Sequence, residues 1–166
     1  MRPEVSADGL WVIYADAEAG KQRIWKVSID GGEPVQLTDY ASTYPTVSPD
    51  GRQLAIVFVD EQSTPKRWRQ TIIPIEGGMP GRVFDFYNPY GQMVRWTMDG
   101  RALTYIETKA GISNLWSQPV DGGTPKLLTN FKAEQIFNYA FSRDGKLLAM
   151  ARGREMSDVV LINSLK

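Results

Sequence analysis

Few groups in this sequence suit catalysis. None of its 166 residues is His or Cys, so the imidazole base of a Ser-His-Asp or Cys-His arrangement is missing, along with thiolate chemistry and disulfides. No Gly-x-Ser-x-Gly elbow, phosphate-binding glycine loop or His-based metal motif occurs. Asp60 and Glu61 are paired carboxylates, but neighbours on a strand point to opposite faces, which removes them as an acid and base acting on one bond. The expectation is a protein that is not an enzyme and carries no cofactor.

Recognition chemistry is better supplied. Lys66-Arg67-Trp68-Arg69 sets an indole among three cations, a group that suits stacking on or clamping an acidic partner. A Trp resting on a neighbouring element is the alternative. Aromatic rings gather in three further stretches: Tyr40 and Tyr44; Phe86, Tyr87 and Tyr90; Phe131, Phe137 and Tyr139. Tyr is a frequent anchor of interfaces, although such rings can equally pack between structural elements.

Charge narrows the partners. Nineteen Lys and Arg balance nineteen Asp and Glu, leaving no net field to draw in nucleic acid or an anionic membrane. The longest unbroken apolar stretch, Leu54 to Val59, is far short of the ~20 residues that cross a bilayer, so no membrane insertion is expected. Met1 to Val5 run into a polar turn and lack the apolar core of a secretory signal. A protein or peptide partner remains the expectation.

The elements that must hold these residues announce themselves as a repeat. Asp-Gly pairs fall at Asp8, Asp50, Asp99 and Asp144, in steps of 42, 49 and 45. A second marker interleaves with them: Ile29-Asp30-Gly31-Gly32, Ile75-Glu76-Gly77-Gly78 and Val120-Asp121-Gly122-Gly123, in steps of 46 and 45. Short apolar runs follow each Asp-Gly: Leu10 to Ala15, Leu54 to Val59, Leu103 to Ile106 and Leu147 to Ala151. Others precede or follow each Gly-Gly. With a short strand ending at Val5, Val47, Trp96 or Phe141, each unit has four strands. An all-β architecture of about four four-stranded antiparallel blades is predicted, with almost no helix, in units of approximately 1–38, 39–84, 85–129 and 130–166. Both glycine markers suit two-residue hairpins needing positive φ. Trp25 and Trp116, at matching positions, are expected in the core, and Glu4 and Arg95 on innermost strands near a central channel.

The run Ser48-Pro49-Asp50-Gly51-Arg52-Gln53-Leu54-Ala55, together with Asp121-Gly122-Gly123-Thr124-Pro125, resembles the WD40-like (PD40-type) repeat of TolB-like propellers over essentially the whole chain. Ala7 departs from the pattern, as does Thr97-Met98. The resemblance implies a bacterial β-propeller, periplasmic or in the extracytoplasmic part of a sensor or kinase-like protein, that binds other proteins. In a meander, alternate connections share a face, so both glycine turns lie on one side. The other side collects the expected long connections at 16–23, 60–70, 107–114 and 152–158 and the aromatic links between blades. Candidate partner-binding residues are therefore Tyr40, Tyr44, Tyr87, Tyr90, Arg67, Trp68, Arg95 and Phe137. A glycan- or peptide-binding lectin-like propeller and a regulatory appendage of a larger enzyme or sensor kinase are the alternatives. For assembly, three readings stand: a homodimer completing an eight-bladed ring, a partial propeller from one longer chain, or a closed four-blade ring.

Overall fold

The computed structural model describes residues 3–18, 20–86, 94–142 and 144–156. Within them every regular element is a strand. The first blade comprises β1 (Glu4–Val5), β2 (Trp11–Glu18), β3 (Lys21–Ser28) and β4 (Val35–Gln36). The second comprises β5 (Ser42–Val47), β6 (Gln53–Asp60), β7 (Arg67–Pro74) and β8 (Val83–Phe84), and the third β9 (Arg95–Trp96), β10 (Ala102–Lys109), β11 (Ile112–Pro119) and β12 (Lys126–Leu127). Each is an antiparallel sheet paired in chain order, and β13 (Gln135–Phe141) with β14 (Leu148–Gly153) begins a fourth. The strand expected at Val159 to Ile162 lies outside the described residues.

Strand alternation puts the core between the blades. We call the face of a blade toward its predecessor the near face and the other the far face. Ile13, Ala15, Ile24 and Leu37 on the far face of the first blade pack against Leu54, Ile56 and Ile73 on the near face of the second. Ala55, Ile72 and Phe84 meet Trp96 and Leu103 at the next interface, and Ile106 and Leu115 meet Ile136 and Tyr139 at the third. Each fully buried Leu or Ile contributes ~1.5–3 kcal/mol from apolar burial. Polar bonds cross the same seams: Trp96 Nε1 donates to Thr46 O at 3.0 Å, and Tyr139 Oη donates to Thr104 O at 2.7 Å. Lys26 Nζ lies 2.5 Å from Glu76 Oε2. Gly77, at φ +90°, comes so close to the first blade that a Cβ there would sit 2.3 Å from Leu37 O.

The Asp-Gly pairs do sit in tight turns, but not of the expected type. Gly9 N bonds Ser6 O at 2.9 Å, and the same bond recurs from Gly51 to Ser48, Gly100 to Thr97 and Gly145 to Ser142. Asp therefore occupies the third position of a four-residue turn in ordinary backbone, and only the glycine takes positive φ. The reason is a side-chain network. Ser48 Oγ donates to Asp50 Oδ1 at 2.6 Å, Asp50 Oδ1 accepts from Arg52 N at 3.1 Å, and Ser48 Oγ accepts from Gln53 N at 2.9 Å. Ser6 with Asp8, Thr97 with Asp99 and Ser142 with Asp144 repeat it. The Gly-Gly turns are built alike, with Gly31 N bonding Ser28 O at 3.0 Å. A two-residue turn with positive φ at both positions occurs instead at Ala110 (φ +50°) and Gly111 (φ +77°).

Two further expectations are corrected. The connections at 16–23 and 107–114 are not long loops, because their ladders continue to Glu18 paired with Lys21 and Lys109 paired with Ile112. Polar residues at those strand ends hide strands that reach into solvent. Trp25 and Trp116 are half-buried and not core; the fully buried positions are the adjacent Ile24 and Leu115 on the opposite face. Among the described residues the first blade packs on the second, and its strands make no substantial contact with β13 or β14.

Candidate functional site

Of the candidate residues, Tyr40, Tyr44, Arg67, Trp68 and Phe137 lie toward the side to which the meander brings the β2–β3, β6–β7 and β10–β11 hairpins. Two of them share a local device. The pairing of β5 with β6 shifts between Thr43 and Thr46, and that of β13 with β14 shifts between Ile136 and Asn138. Such bulges bend a strand and re-aim a side chain. Tyr44 sits in the first with φ +51° and is 49% exposed, while Phe137 sits in the second and is 47% exposed. A ring left half in water on an innermost strand, with the backbone held in the left-handed region at Tyr44, is a costly arrangement for a residue whose only task is packing. No sequence signal marks the bulges, because an inserted residue in a strand has no fixed residue type.

The other aromatics divide differently. Tyr40 meets Phe58 edge-on at 6.0 Å and donates its hydroxyl to Gly78 O at 2.9 Å, so it ties the first blade to the second. Burial, with Asp39 nearby, raises its pKa. Phe86 stacks on Tyr105 at 3.9 Å, and Phe131 lies under the Arg152 guanidinium at 3.5 Å. Tyr139 is buried between the third and fourth blades, which pushes its phenol up to about 12. Arg95 stands over the Tyr139 ring at 5.5 Å on the innermost strand β9, away from the hairpins. Tyr87 and Tyr90 lie outside the described residues.

Arg67, Trp68 and Arg69 do not form the expected cluster of cations around an indole, nor do they lie in a loop. They open β7, and strand alternation sends Trp68 to the side opposite Arg67 and Arg69. Arg69 is already committed: it bonds Asp60 Oδ2 at 2.9 Å and also Asp85. The pair holds the Asp60 carboxyl below its usual range. Exposed Arg67 and half-buried Trp68, with Phe84, Asp85 and Phe86, line an open cleft of about 600 Å³. Such a cleft offers one free guanidinium edge beside apolar ring surface, suited to a peptide side chain or carboxylate. Among the described residues no cluster of acidic side chains could hold a metal ion, and no helix is long and apolar enough to cross a membrane.

Comparison with solved structures decides the fold. TolB from Acinetobacter baumannii superposes on 90% of this chain with a TM-score of 0.66 and 21% identity. The chain has a β-propeller fold, as TolB has. No protein-family model matches it. In sequence, this propeller is 28% identical over 112 residues to an uncharacterized protein of Agrobacterium fabrum, and 29% identical over 107 residues to Tricorn protease homolog 1 of Streptomyces coelicolor. Those alignments take in 63% and 60% of the propeller chain. It spans only 38% and 10% of those relatives and 37% of the TolB chain.

Proposed function

We propose that this propeller is a non-catalytic binding module that takes a protein or peptide partner on the face carrying Tyr44, Phe137, Arg67 and Trp68. The observation that carries the reading is the pair of bulges in β5 and β13, each leaving an aromatic ring half in solvent on a rigid sheet. Rigid, low-entropy rings of this kind anchor interfaces. The absence of His from the sequence agrees with a role in binding. The likeness to TolB favours an extracytoplasmic, periplasmic setting and a bacterial protein partner.

The test is a triple variant, Tyr44→Ala, Trp68→Ala and Phe137→Ala, used beside the parent chain as bait on envelope and cytosolic extracts. Partners captured by the parent should be lost by the variant while the melting temperature stays within a few degrees. A variant that keeps its partners removes this face from the reading. A second reading, a regulatory propeller attached to a larger enzyme, draws on the likeness to Tricorn protease homolog 1. It predicts that the captured partner is a peptidase whose turnover changes when the propeller is added.

A further inference from the structure

The second blade departs from the repeat around one cleft. Seven residues before the first glycine of each Gly-Gly pair stand Ile24, Gln70 and Leu115, all buried. Gln70 thus carries an amide where its counterparts carry aliphatic chains, and its Nε2 has no hydrogen-bond partner among the described residues. Nine residues before the same glycine stand Gln22, Trp68 and Ser113, so the indole is a departure as well. The third departure is a lost clasp. Thr38 Oγ1 accepts from Ile24 N at 2.9 Å, and Thr129 Oγ1 accepts from Leu115 N at 2.9 Å, each pinning the chain beyond the outermost strand to the strand inside it. In the second blade the ladder register puts Asp85 at that place, two residues past the partner of Thr71. Its side chain is 91% exposed and bonds Arg69. A buried unpaired amide and a missing clasp both cost stability, and departures of this kind gather at functional sites. All three adjoin the cleft beside Arg67, whose wall reaches the third blade where Phe86 stacks on Tyr105.

What the cleft lacks follows from its charges. Asp60 stands directly across the ladder from Arg67, but its carboxylate bonds Arg69, as does that of Asp85, and Glu61 is paired with Lys66. These carboxylates are engaged, and the exposed Arg67 guanidinium has no ion-pair partner among the described residues. Half-buried Trp68 and Phe86 set apolar ring surface beside it. We propose, resting on the reading of this face as one that takes a protein or peptide, that the cleft seats a single acidic side chain within an extended segment of the partner. Its carboxylate lies on Arg67, and the apolar side chain next to it lies against Trp68 and Phe86. A volume of about 600 Å³ gives room for both. Asp85 sets the limit: standing in water at the rim, it repels a second carboxylate, so the cleft reads one acidic residue beside an apolar one and not an acidic run. An open cleft lets the bound chain run on at either side, which suits a residue inside a segment better than a chain terminus.

The test follows the indole N–H resonance of Trp68, assigned with a Trp68→Phe chain, during titration with short peptides capped at both ends. A peptide with Leu-Glu in its middle should shift that resonance and bind about tenfold more tightly than its Leu-Gln twin, the worth of one charge-assisted hydrogen bond. Arg67→Gln changes an exposed side chain, so it should keep the circular dichroism of the parent while removing the difference between the two peptides. Equal binding of the two peptides to the parent chain overturns the proposal, as does an unmoved Trp68 resonance or a tighter grip on a capped run of Glu. A Leu-Gln peptide that binds only when its C-terminus is left free assigns the cleft to a chain terminus instead. The capture experiment separates this inference from the broader reading: partners lost by the triple variant but kept by Arg67→Gln leave the face standing and remove the carboxylate from the cleft.

Discussion

The near faces of the first and second blades are built on one pattern and meet opposite fates. Ile56 and Leu54 are sealed against Ile13, Ile24 and Leu37, whereas Tyr14 and Val12, their counterparts in the repeat, are only half-buried. The local sequence is similar and the strands are equally regular. What the neighbour supplies is burial. A blade in this molecule is a folding unit only in company, which is how repeat architectures gather stability from interfaces between units.

Breaking this comparison takes one pair of substitutions. Ile56→Ala should cost about 2–5 kcal/mol, the usual loss for a fully buried aliphatic side chain. Val12→Ala should cost less, about 1 kcal/mol, since the side chain is only half-buried. Urea unfolding of both variants measures the gap. Equal losses would mean that the near face of the first blade is as well covered in solution as that of the second.

Two pH limbs sharpen the same contrast between seams and turns. Tyr139 is held up to about 12 chiefly by burial, against an unfolded value near ~10. Its folded pKa is raised, so its contribution is complete below the unfolded value and is lost as pH rises from about 10 through about 12. Tyr139→Phe should flatten that part of the alkaline limb, read from thermal melts across the range. The turn carboxylates act in the opposite direction. Asp8, Asp50, Asp99 and Asp144 are all lowered below 3.8, first by the Ser or Thr hydroxyl and then by the backbone N–H two residues on. Their contribution is present above the unfolded value and disappears as pH falls through the lowered ones. Ser48→Ala should raise the Asp50 pKa in a carboxylate NMR titration and leave Asp99 unmoved. A shift at both would show that the turns are coupled through the blades.

The smallest expected effect concerns Tyr44. Its φ of +51° suits glycine, so Tyr44→Gly should change stability by no more than ~1 kcal/mol, while Tyr44→Val should be clearly worse because a branched Cβ tolerates that region poorly. If Val is tolerated as well as Gly, the bulge relaxes freely and the ring is not held in place.

The blades were legible because turn chemistry repeats: Asp and Gly at fixed spacing, followed by an apolar run, state a hairpin locally. Less of the candidate site could be read. Tyr40 and Tyr44 are four residues apart in one aromatic stretch. One ties two blades together and the other stands half in water, a difference created by the bulge between Thr43 and Thr46. Arg67, Trp68 and Arg69 read as a loop cluster because charged residues conceal a strand end. Arg69 was claimed by Asp60 and Asp85, the latter sixteen residues away.

By itself the sequence determined the all-β class, the period and the turn positions, because hydrogen-bonded turns and strand alternation are interactions among residues a few places apart. Tertiary structure decided which face of each blade is sealed, which aromatic rings are struts and which remain available. Those outcomes depend on the blade next door. Val12 and Leu54 hold the same place in the repeat, and what separates their environments is whether a neighbouring blade displaces water from them.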